Sequence, residues 1–178
     1  ASKNVNESIN ALKELTITLL DKRARRNALE IESGEPMLKI NNMGEVESIN
    51  LSKRMFAHQM IEEAMIAANI CAIMFVKSSL KISINRFHDR PDTDKLLALF
   101  EKFQSLGLKK SDDPIILLQR CIELAKRSEN ATSLQSLILQ GLPRAIYSSK
   151  KSGHFGLQLE EYSHFTSPIR RYPDLIIH

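Results

Sequence analysis

The segment Tyr162-Ser-His-Phe-Thr-Ser-Pro-Ile-Arg-Arg-Tyr-Pro-Asp-Leu-Ile-Ile-His178 decides how this chain is interpreted, and we call it the signature segment. Its run Thr166–Pro168 predicts the start of a helix, because a hydroxyl caps free backbone N–H groups and proline needs none. Arg170 and Arg171 then fall in the first helical turn, where the helix dipole disfavours a cation. Helix N-termini and arginine both bind phosphate, so this placement indicates an anion nearby.

The composition is that of an ordinary globular protein. The chain has 178 residues, of which 43% are hydrophobic and 26% charged, enough for one domain with a core. A net charge of +4 permits a polyanionic partner without requiring one. The longest apolar run, Ala64 to Val76, is shorter than the roughly 20 residues that a bilayer span needs. We therefore expect a cytoplasmic protein with no membrane partner.

The two cysteines, Cys71 and Cys121, lie within apolar helical patterns. We expect both to be buried and reduced, with no disulfide-linked partner. The sequence shows no zinc-ligand spacing and no signal-peptide pattern.

Hydrophobic periodicity predicts a mixed α and β fold that is rich in helix. The predicted elements are helices over 6–26, 53–77, 94–106, 114–127 and 131–147 (the last interrupted at 141–143), a β-hairpin within 28–51 and a strand over 79–87. Asp92 or Thr93 is expected to cap the third helix, and Asp113 before Pro114 the fourth. No repeat, low-complexity tract or internal domain boundary interrupts the chain.

A basic cluster, Lys22-Arg-Ala-Arg-Arg26, ends the first predicted helix. It is open to two interpretations. Cations at a helix C-terminus are favoured by the dipole and are commonly solvated. The same side chains could instead contact phosphate.

Three further segments carry recognisable motifs: Met60-Ile-Glu-Glu-Ala-Met-Ile-Ala-Ala-Asn-Ile70, Arg86-Phe-His-Asp-Arg-Pro91 and Gly153-His-Phe-Gly-Leu157. With the signature segment, they follow the order found in the catalytic (RNB) domain of the ribonuclease II/ribonuclease R family, which the chain resembles. The signature segment is most similar to the bacterial ribonuclease R branch. The resemblance implies a processive 3′-to-5′ exoribonuclease that hydrolyses single-stranded RNA to nucleoside 5′-monophosphates by a metal-assisted mechanism.

The acidic residues do not predict a metal site. Asp112 and Asp113 are interpreted as capping residues, the acidic residues of 89–94 as turn and cap residues, and Glu160 and Glu161 as a solvated pair. The resemblance implies that the family's metal-binding aspartates lie on a loop upstream of residue 1. Residues 1–178 are then the middle to C-terminal part of one RNB domain, without flanking RNA-binding domains. Mg²⁺ is expected in the full-length parent and not in this fragment, which we expect to be inactive.

The resemblance also implies roles for individual residues. Arg170 is the expected catalytic residue, which neutralises charge on the scissile phosphate; the alternative is a salt bridge to a core carboxylate. Arg171 is open equally to phosphate contact and to a structural ion pair. Thr166 and Ser167 are candidate substrate contacts.

Glu62 is the candidate for recognition of the terminal ribose, because a carboxylate accepts a hydrogen bond from the 2′-hydroxyl that deoxyribose lacks. Its alternative role is that of a carboxylate interacting with the helix dipole. Glu63 is expected to be the less important of the two.

Aromatic residues are expected mainly in the core. Tyr162, Phe165 and Tyr172 are interpreted as packing residues rather than base-stacking platforms. Ile31 stands where many family members carry an aromatic that stacks on RNA bases, so base stacking is not expected there. A non-catalytic RNA-binding or adaptor protein on the same fold is the alternative function, and a scaffold whose arginines serve only packing is a third.

Overall fold

The computed structural model describes residues 3–31, 36–51, 54–80 and 83–178. It confirms a mixed α and β fold in which helix predominates. In chain order the elements are α1 (Lys3–Arg25), β1 (Pro36–Ile40), β2 (Val46–Leu51), α2 (Phe56–Leu80), β3 (Asn85–Phe87), α3 (Thr93–Gln104), α4 (Pro114–Arg127), α5 (Ala131–Gly141), β4 (Ile146–Ser148), a 3₁₀ turn (Phe155–Leu157) and α6 (Tyr172–Ile177).

The main hydrophobic core lies among α3, α4 and α5. Phe103 and Leu118 are essentially inaccessible to solvent, and Leu29 closes the cluster from the segment after α1. The start of α4 follows the sequence pattern closely, since the Asp113 carboxylate accepts a hydrogen bond of 2.8 Å from the Ile115 N–H and Pro114 occupies the first turn. By contrast, Asp92 caps α3 without a side-chain hydrogen bond.

The two long helices, α1 and α2, pack against each other. By length and hydropathy alone, α2 could cross a membrane, although the core helix of a soluble protein can satisfy the same criterion. The expectation from the sequence rested on Ala64 to Val76, a run that Asn69 interrupts and that is only part of this helix. The polar residues Glu63 and Asn69 of α2 are nevertheless buried, at 2% exposure each.

Two small antiparallel sheets complete the fold. β1 and β2 form the predicted hairpin, with a register shift between Lys39 and Ile40. Residues 28–31, which were expected to belong to this hairpin, form no strand, and 32–35 lie outside the described residues. The second sheet pairs β3 with β4, and Arg86 lies opposite Tyr147.

The strand predicted over 79–87 was largely wrong. Its first two residues complete α2, residues 81 and 82 lie outside the described part, and only Asn85–Phe87 pairs as a strand. The helix predicted over 131–147 ends at Gly141, because the chain leaves the helix before Pro143 and then supplies β4. In both segments the difference from the prediction arises because β3 and β4, which are distant in sequence, pair with each other.

The cysteines differ from each other. Cys121 is fully buried in the main core, where burial raises the pKa of its thiol to about 12. Cys71 is exposed on α2, so the expectation of burial was wrong for this residue. Its face of α2 is not covered by the described part of the chain.

Candidate functional site

A cleft of about 620 Å³ lies between α2 and the signature segment. Residues of α2 spaced three or four apart form one wall, as expected for one face of a helix. The lining residues are His58, Ile61, Glu62, Met65, Ile66, Asn69, Arg86, Ala145, His154, Leu157, Tyr162, His164 and Arg171. The structure therefore brings Glu62 and Arg171 to one cavity, together with Arg86, for which the sequence predicted no individual role.

Glu62 is held by arginines on both of its carboxylate oxygens. Arg23 Nη1 donates to Glu62 Oε1 at 2.9 Å, and Arg54 Nη2 donates to Oε2 at 2.5 Å. Arg23 also donates to Glu63 Oε1 at 2.6 Å, while Arg54 reaches Glu30 at 3.1 Å. The carboxylate is thus fixed in orientation at the edge of the cleft.

The electrostatics of this network keep Glu62 ionised. Burial alone would raise the pKa of Glu62, but the hydrogen bonds and charges of Arg23 and Arg54 outweigh it and lower the pKa. Burial would likewise lower the pKa of Arg23, but the two glutamates raise it. An ionised carboxylate oxygen retains lone pairs beyond the one used by each arginine, so Glu62 can still accept a hydrogen bond from a ligand hydroxyl.

Two interpretations of these charges are corrected. Glu62 lies in the second turn of α2, beyond the reach of the helix dipole, so the dipole role was wrong. The solvated interpretation of the basic cluster was wrong for Arg23, whose side chain is 11% exposed. It was also wrong for Arg26, whose Nε donates to the Leu157 carbonyl at 2.8 Å. Glu63, expected to be less important, is the more deeply buried glutamate.

Asn69 fastens the signature segment to α2. Its Nδ2 donates to the Tyr162 hydroxyl, and its Oδ1 accepts from the Phe165 N–H, both at 2.9 Å. Asn69 was not among the residues predicted from the sequence to have a role. The available signal was a single polar side chain within the apolar run of α2.

The signature segment begins its helix later than predicted. α6 starts at Tyr172 and has Arg171 as its N-cap, whereas residues 168–170 form a turn. Pro173 provides the same first-turn proline signal as Pro168, and α6 uses Pro173 with the acidic Asp174 in its first turn. The prediction that Thr166 or Ser167 caps a helix beginning at Pro168, with both arginines in its first turn, was therefore wrong.

The fully buried carboxylate of Asp174 organises this turn. Its Oδ1 accepts from the Ser167 N–H at 2.9 Å and from Arg171 Nε and Nη2 at 3.0 and 2.6 Å. The Ser167 carbonyl in turn accepts from the N–H groups of Arg170 and Arg171. Of the two roles left open for Arg171, the structure shows the ion pair.

Arg170 lies at the tip of this turn and is exposed. No ion pair to a carboxylate occurs for it among the described residues. A salt bridge to a buried carboxylate was the alternative role of Arg170. Arg171 makes that salt bridge instead, with Asp174. The Thr166 hydroxyl is buried without a hydrogen-bond partner in the described structure.

The motifs around His88 and His154 meet in space. The Phe155 N–H donates to the His88 carbonyl at 2.9 Å, and the Gly156 N–H donates to His88 Nδ1 at 3.0 Å. A Cβ at Gly156 would lie 3.1 Å from that nitrogen, which explains a residue without a side chain at this position. These contacts between the two motifs position the His154 ring against the Tyr162 ring, with ring centroids 5.4 Å apart.

Two histidines of the cleft, His154 and His164, are neutral near neutral pH. Burial, followed by nearby positive charges, lowers the pKa of His154 to about 3 and that of His164 to about 4. His164 Nδ1 also lies 2.8 Å from the Tyr147 hydroxyl. These rings therefore act as hydrogen-bonding and packing groups rather than as cations.

The three aromatic residues of the signature segment have different environments. Tyr162 is buried as expected, and Phe165 is partly buried and stacks on His178 with centroids 4.1 Å apart. Tyr172 is 73% exposed, so its assignment to the core was wrong. Ile31 packs against the main core and not into the cleft.

No group of three or more possible metal ligands gathers among the described residues. Asp113 acts as the predicted cap, and Asp89 accepts from the neighbouring Arg90 N–H. Glu161 differs from the predicted solvated pair, because it forms an ion pair with Lys77 of α2. The described residues therefore do not fit a metal ion, and we assign no ligand among them.

Comparison with known proteins agrees with these motifs. The sequence profile of the RNB domain matches residues 1–178. The chain belongs to the RNB domain family. Ribonuclease R of Escherichia coli is 38% identical over 165 residues, covering 90% of this chain and 20% of the relative.

Solved structures show the same RNB fold. Mycoplasma genitalium RNase R in its apo form superposes with a TM-score of 0.89 at 28% identity, covering all of this chain and 28% of that one. The same protein has been solved with ribose-methylated single-stranded RNA. Yeast Ssd1, a pseudonuclease, shares the fold at a TM-score of 0.66 and 20% identity over 95% of this chain and 22% of its own. The chain thus spans between 20% and 28% of the length of these relatives.

Proposed function

We propose that this chain is the middle to C-terminal part of the catalytic domain of a 3′-to-5′ exoribonuclease. The observation that carries the proposal is the cleft itself, which combines an oriented, ionised Glu62 with the signature segment. Homology to ribonuclease R supports the substrate class, single-stranded RNA. The full-length protein would release nucleoside 5′-monophosphates in the cytoplasm.

Glu62 would recognise the ribose of the terminal nucleotide. Arg23 and Arg54 orient its oxygens and keep the carboxylate ionised. A fixed acceptor discriminates strongly between ribose and deoxyribose, because DNA would leave its hydrogen bond unmade.

Arg170 would stabilise negative charge that develops on the scissile phosphate. A guanidinium without a carboxylate partner is available to an anion, and the turn that carries it is fixed by Asp174 through Ser167. Arg171, Thr166 and Ser167 would support the substrate from the same segment. Arg171 would do so mainly by holding the turn.

Hydrolysis in this family is expected to use Mg²⁺, which activates water and neutralises phosphate charge. The described residues do not form a site for it, so we derive no step through the metal. We propose that its ligands come from another part of the full-length protein.

The test is digestion of a 5′-labelled single-stranded oligoribonucleotide by the purified full-length protein. We expect products that shorten progressively from the 3′ end and nucleoside 5′-monophosphates as the released species. Binding of the RNA without shortening would instead support the non-catalytic RNA-binding or adaptor protein.

A further inference from the structure

The charges that line the cleft are not balanced. Apart from the histidines, the charged lining residues are Glu62, Arg86 and Arg171. Glu62 is paired with two arginines and Arg171 with Asp174. Within the described ranges, no carboxylate forms an ion pair with Arg86. Its guanidinium is therefore the cation of the cleft that lacks a protein counterion.

The position of Arg86 is nevertheless well defined. Its backbone N–H donates to the Tyr162 carbonyl at 2.7 Å, which ties β3 to the signature segment. Its guanidinium carbon lies 4.8 Å from the centroid of the Tyr147 ring, its partner across the β3–β4 pair. A guanidinium stacked on an aromatic face keeps its N–H groups at the edge free for a ligand.

The two histidine rings near Arg86 do not compensate its charge. Burial, and then the charge of Arg86 among others, lowers the pKa of His154 and of His164. Both rings are neutral near pH 7, so they neither add to nor cancel the positive charge. A half-buried cation without a counterion is electrostatically complementary to an anion in the same cavity.

We propose that Arg86 binds a phosphate group of the nucleotide that occupies the cleft. The inference rests on the proposed function, and it adds a phosphate contact on the wall formed by β3 and β4, separate from the turn that carries Arg170. Phosphate matches the planar fork of arginine. The apolar side chains of Ile61, Met65 and Leu157 suit the attached base or sugar.

The test compares two probes that differ by one phosphate, uridine 5′-monophosphate and uridine, titrated into the 178-residue chain and followed by NMR. The unmodified chain should bind the monophosphate more tightly than the nucleoside. Arg86→Gln should weaken monophosphate binding about tenfold, as expected for one charge-assisted contact, and change uridine binding less than about twofold. Arg127→Gln is the matched control, since it removes the same charge from α4, which does not line the cleft.

A second measurement uses a single-stranded oligouridylate. Each phosphate contact to single-stranded nucleic acid contributes about 0.7 to the slope of log affinity against log salt. Arg86→Gln should reduce that slope by about this amount, and Arg127→Gln should not. Arg86→Lys keeps the charge and should retain part of the phosphate preference, whereas Tyr147→Leu, which removes the stacking ring, should lose part of it.

Several results would overturn the proposal. The first is that the unmodified chain binds the two probes with equal affinity. The second is that Arg86→Gln binds the monophosphate as tightly as the unmodified chain does. The third is that a folded Arg86→Gln variant loses affinity for both probes to the same extent. If Arg86→Gln does not fold, Arg86→Lys and Tyr147→Leu decide, and the proposal fails if neither weakens monophosphate binding. A full-length protein that hydrolyses RNA while Arg86→Gln binds normally would refute this inference and leave the proposed function intact. A full-length protein that does not hydrolyse RNA, together with weakened monophosphate binding in Arg86→Gln, would refute the proposed function alone.

Discussion

At the scale of single residues, the adjacent arginines of the signature segment have opposite environments. Arg171 is only 20% exposed in its side chain and is engaged by a buried carboxylate, whereas Arg170 is exposed at the tip of a turn. We propose that these neighbours divide a structural task, carried by Arg171, and a ligand-binding task, carried by Arg170. The hydrogen bonds of Asp174 create the difference.

Replacing Arg170 by alanine in the full-length protein should lower kcat for single-stranded RNA by about two powers of ten or more. Affinity for RNA should fall much less, because binding is distributed over many contacts. Single-turnover kinetics and equilibrium binding measure the two quantities separately. Ile169→Ala, a change at an exposed neighbour in the same turn, serves as control. Near-normal turnover in Arg170→Ala would exclude a catalytic role.

Replacing Glu62 by alanine should reduce the preference for RNA over DNA at the 3′ end by roughly ten- to a hundredfold, because the hydrogen bond to the 2′-hydroxyl is worth about 1–3 kcal/mol. The measurement compares cleavage of matched oligonucleotides with ribose or deoxyribose at the terminal positions. Glu63 is unsuitable as a control, since it is buried against Arg23. Glu30→Gln is suitable, because Glu30 shares Arg54 with Glu62 but does not line the cleft. An unchanged preference in a folded Glu62→Ala protein would make the network purely structural.

The motifs in the sequence singled out Glu62 and Arg171, which the structure brings to one cleft, but they did not indicate what surrounds these residues. The partners of Glu62 come from positions 39 and 8 residues earlier in the chain. No local pattern links residues so far apart. Arg86 was likewise visible as part of a motif, yet its significance depends on the absence of a counterion, which only the fold reveals.

At the scale of elements, the attachment of the signature segment to α2 depends on Asn69. Asn69→Ala should lower the free energy of unfolding by at least about 2 kcal/mol, since the Tyr162 hydroxyl and the Phe165 N–H both lose their partner. Tyr162→Phe should cost less, because the bond to Phe165 remains. Urea unfolding of the three proteins gives the order. Equal stability of Asn69→Ala and the unmodified chain would show that the segment is held by other contacts.

The histidines beside this segment make its stability depend on pH. The folded chain holds His154 and His164 at pKa values of about 3 and about 4, below the ordinary value of 6.5. Between pH 6.5 and 4 the unfolded chain therefore binds protons that the folded chain does not, so stability is complete above pH 6.5 and falls as the pH falls. His164→Gln should reduce the proton uptake on unfolding near pH 5 by about one. Denaturant unfolding across a pH series measures it, and an unchanged slope would contradict the assignment.

Sequence periodicity predicted the long helices well and the short strands poorly. Helix α4 begins and ends as predicted, because its cap, its proline and its apolar face are all local signals. Strand β3 has only three residues, and its partner β4 lies about 60 residues away. The start of α6 was misplaced because two prolines five residues apart give the same signal, and a buried contact of Asp174 selects the second.

At the scale of the whole molecule, the isolated 178-residue chain should have no exoribonuclease activity in Mg²⁺ or Mn²⁺. The described residues form no cluster of metal ligands, and magnesium sites of this kind depend on carboxylates. The assay follows release of 5′-monophosphates from single-stranded RNA by nuclease-free preparations. Release at a rate proportional to the amount of chain, and retained through further purification, would contradict the prediction.

The stacking of Arg86 on Tyr147 also has a consequence for conformational entropy. An arginine side chain that becomes ordered loses up to about 2 kcal/mol of rotamer freedom. Arg86 has given up much of this freedom on folding, whereas Arg170, exposed on its turn, retains it until a ligand arrives. Arg86 should therefore contribute to affinity from the moment of encounter. Arg170 should contribute only when the charge it meets is large enough to offset the entropic cost of immobilising its side chain.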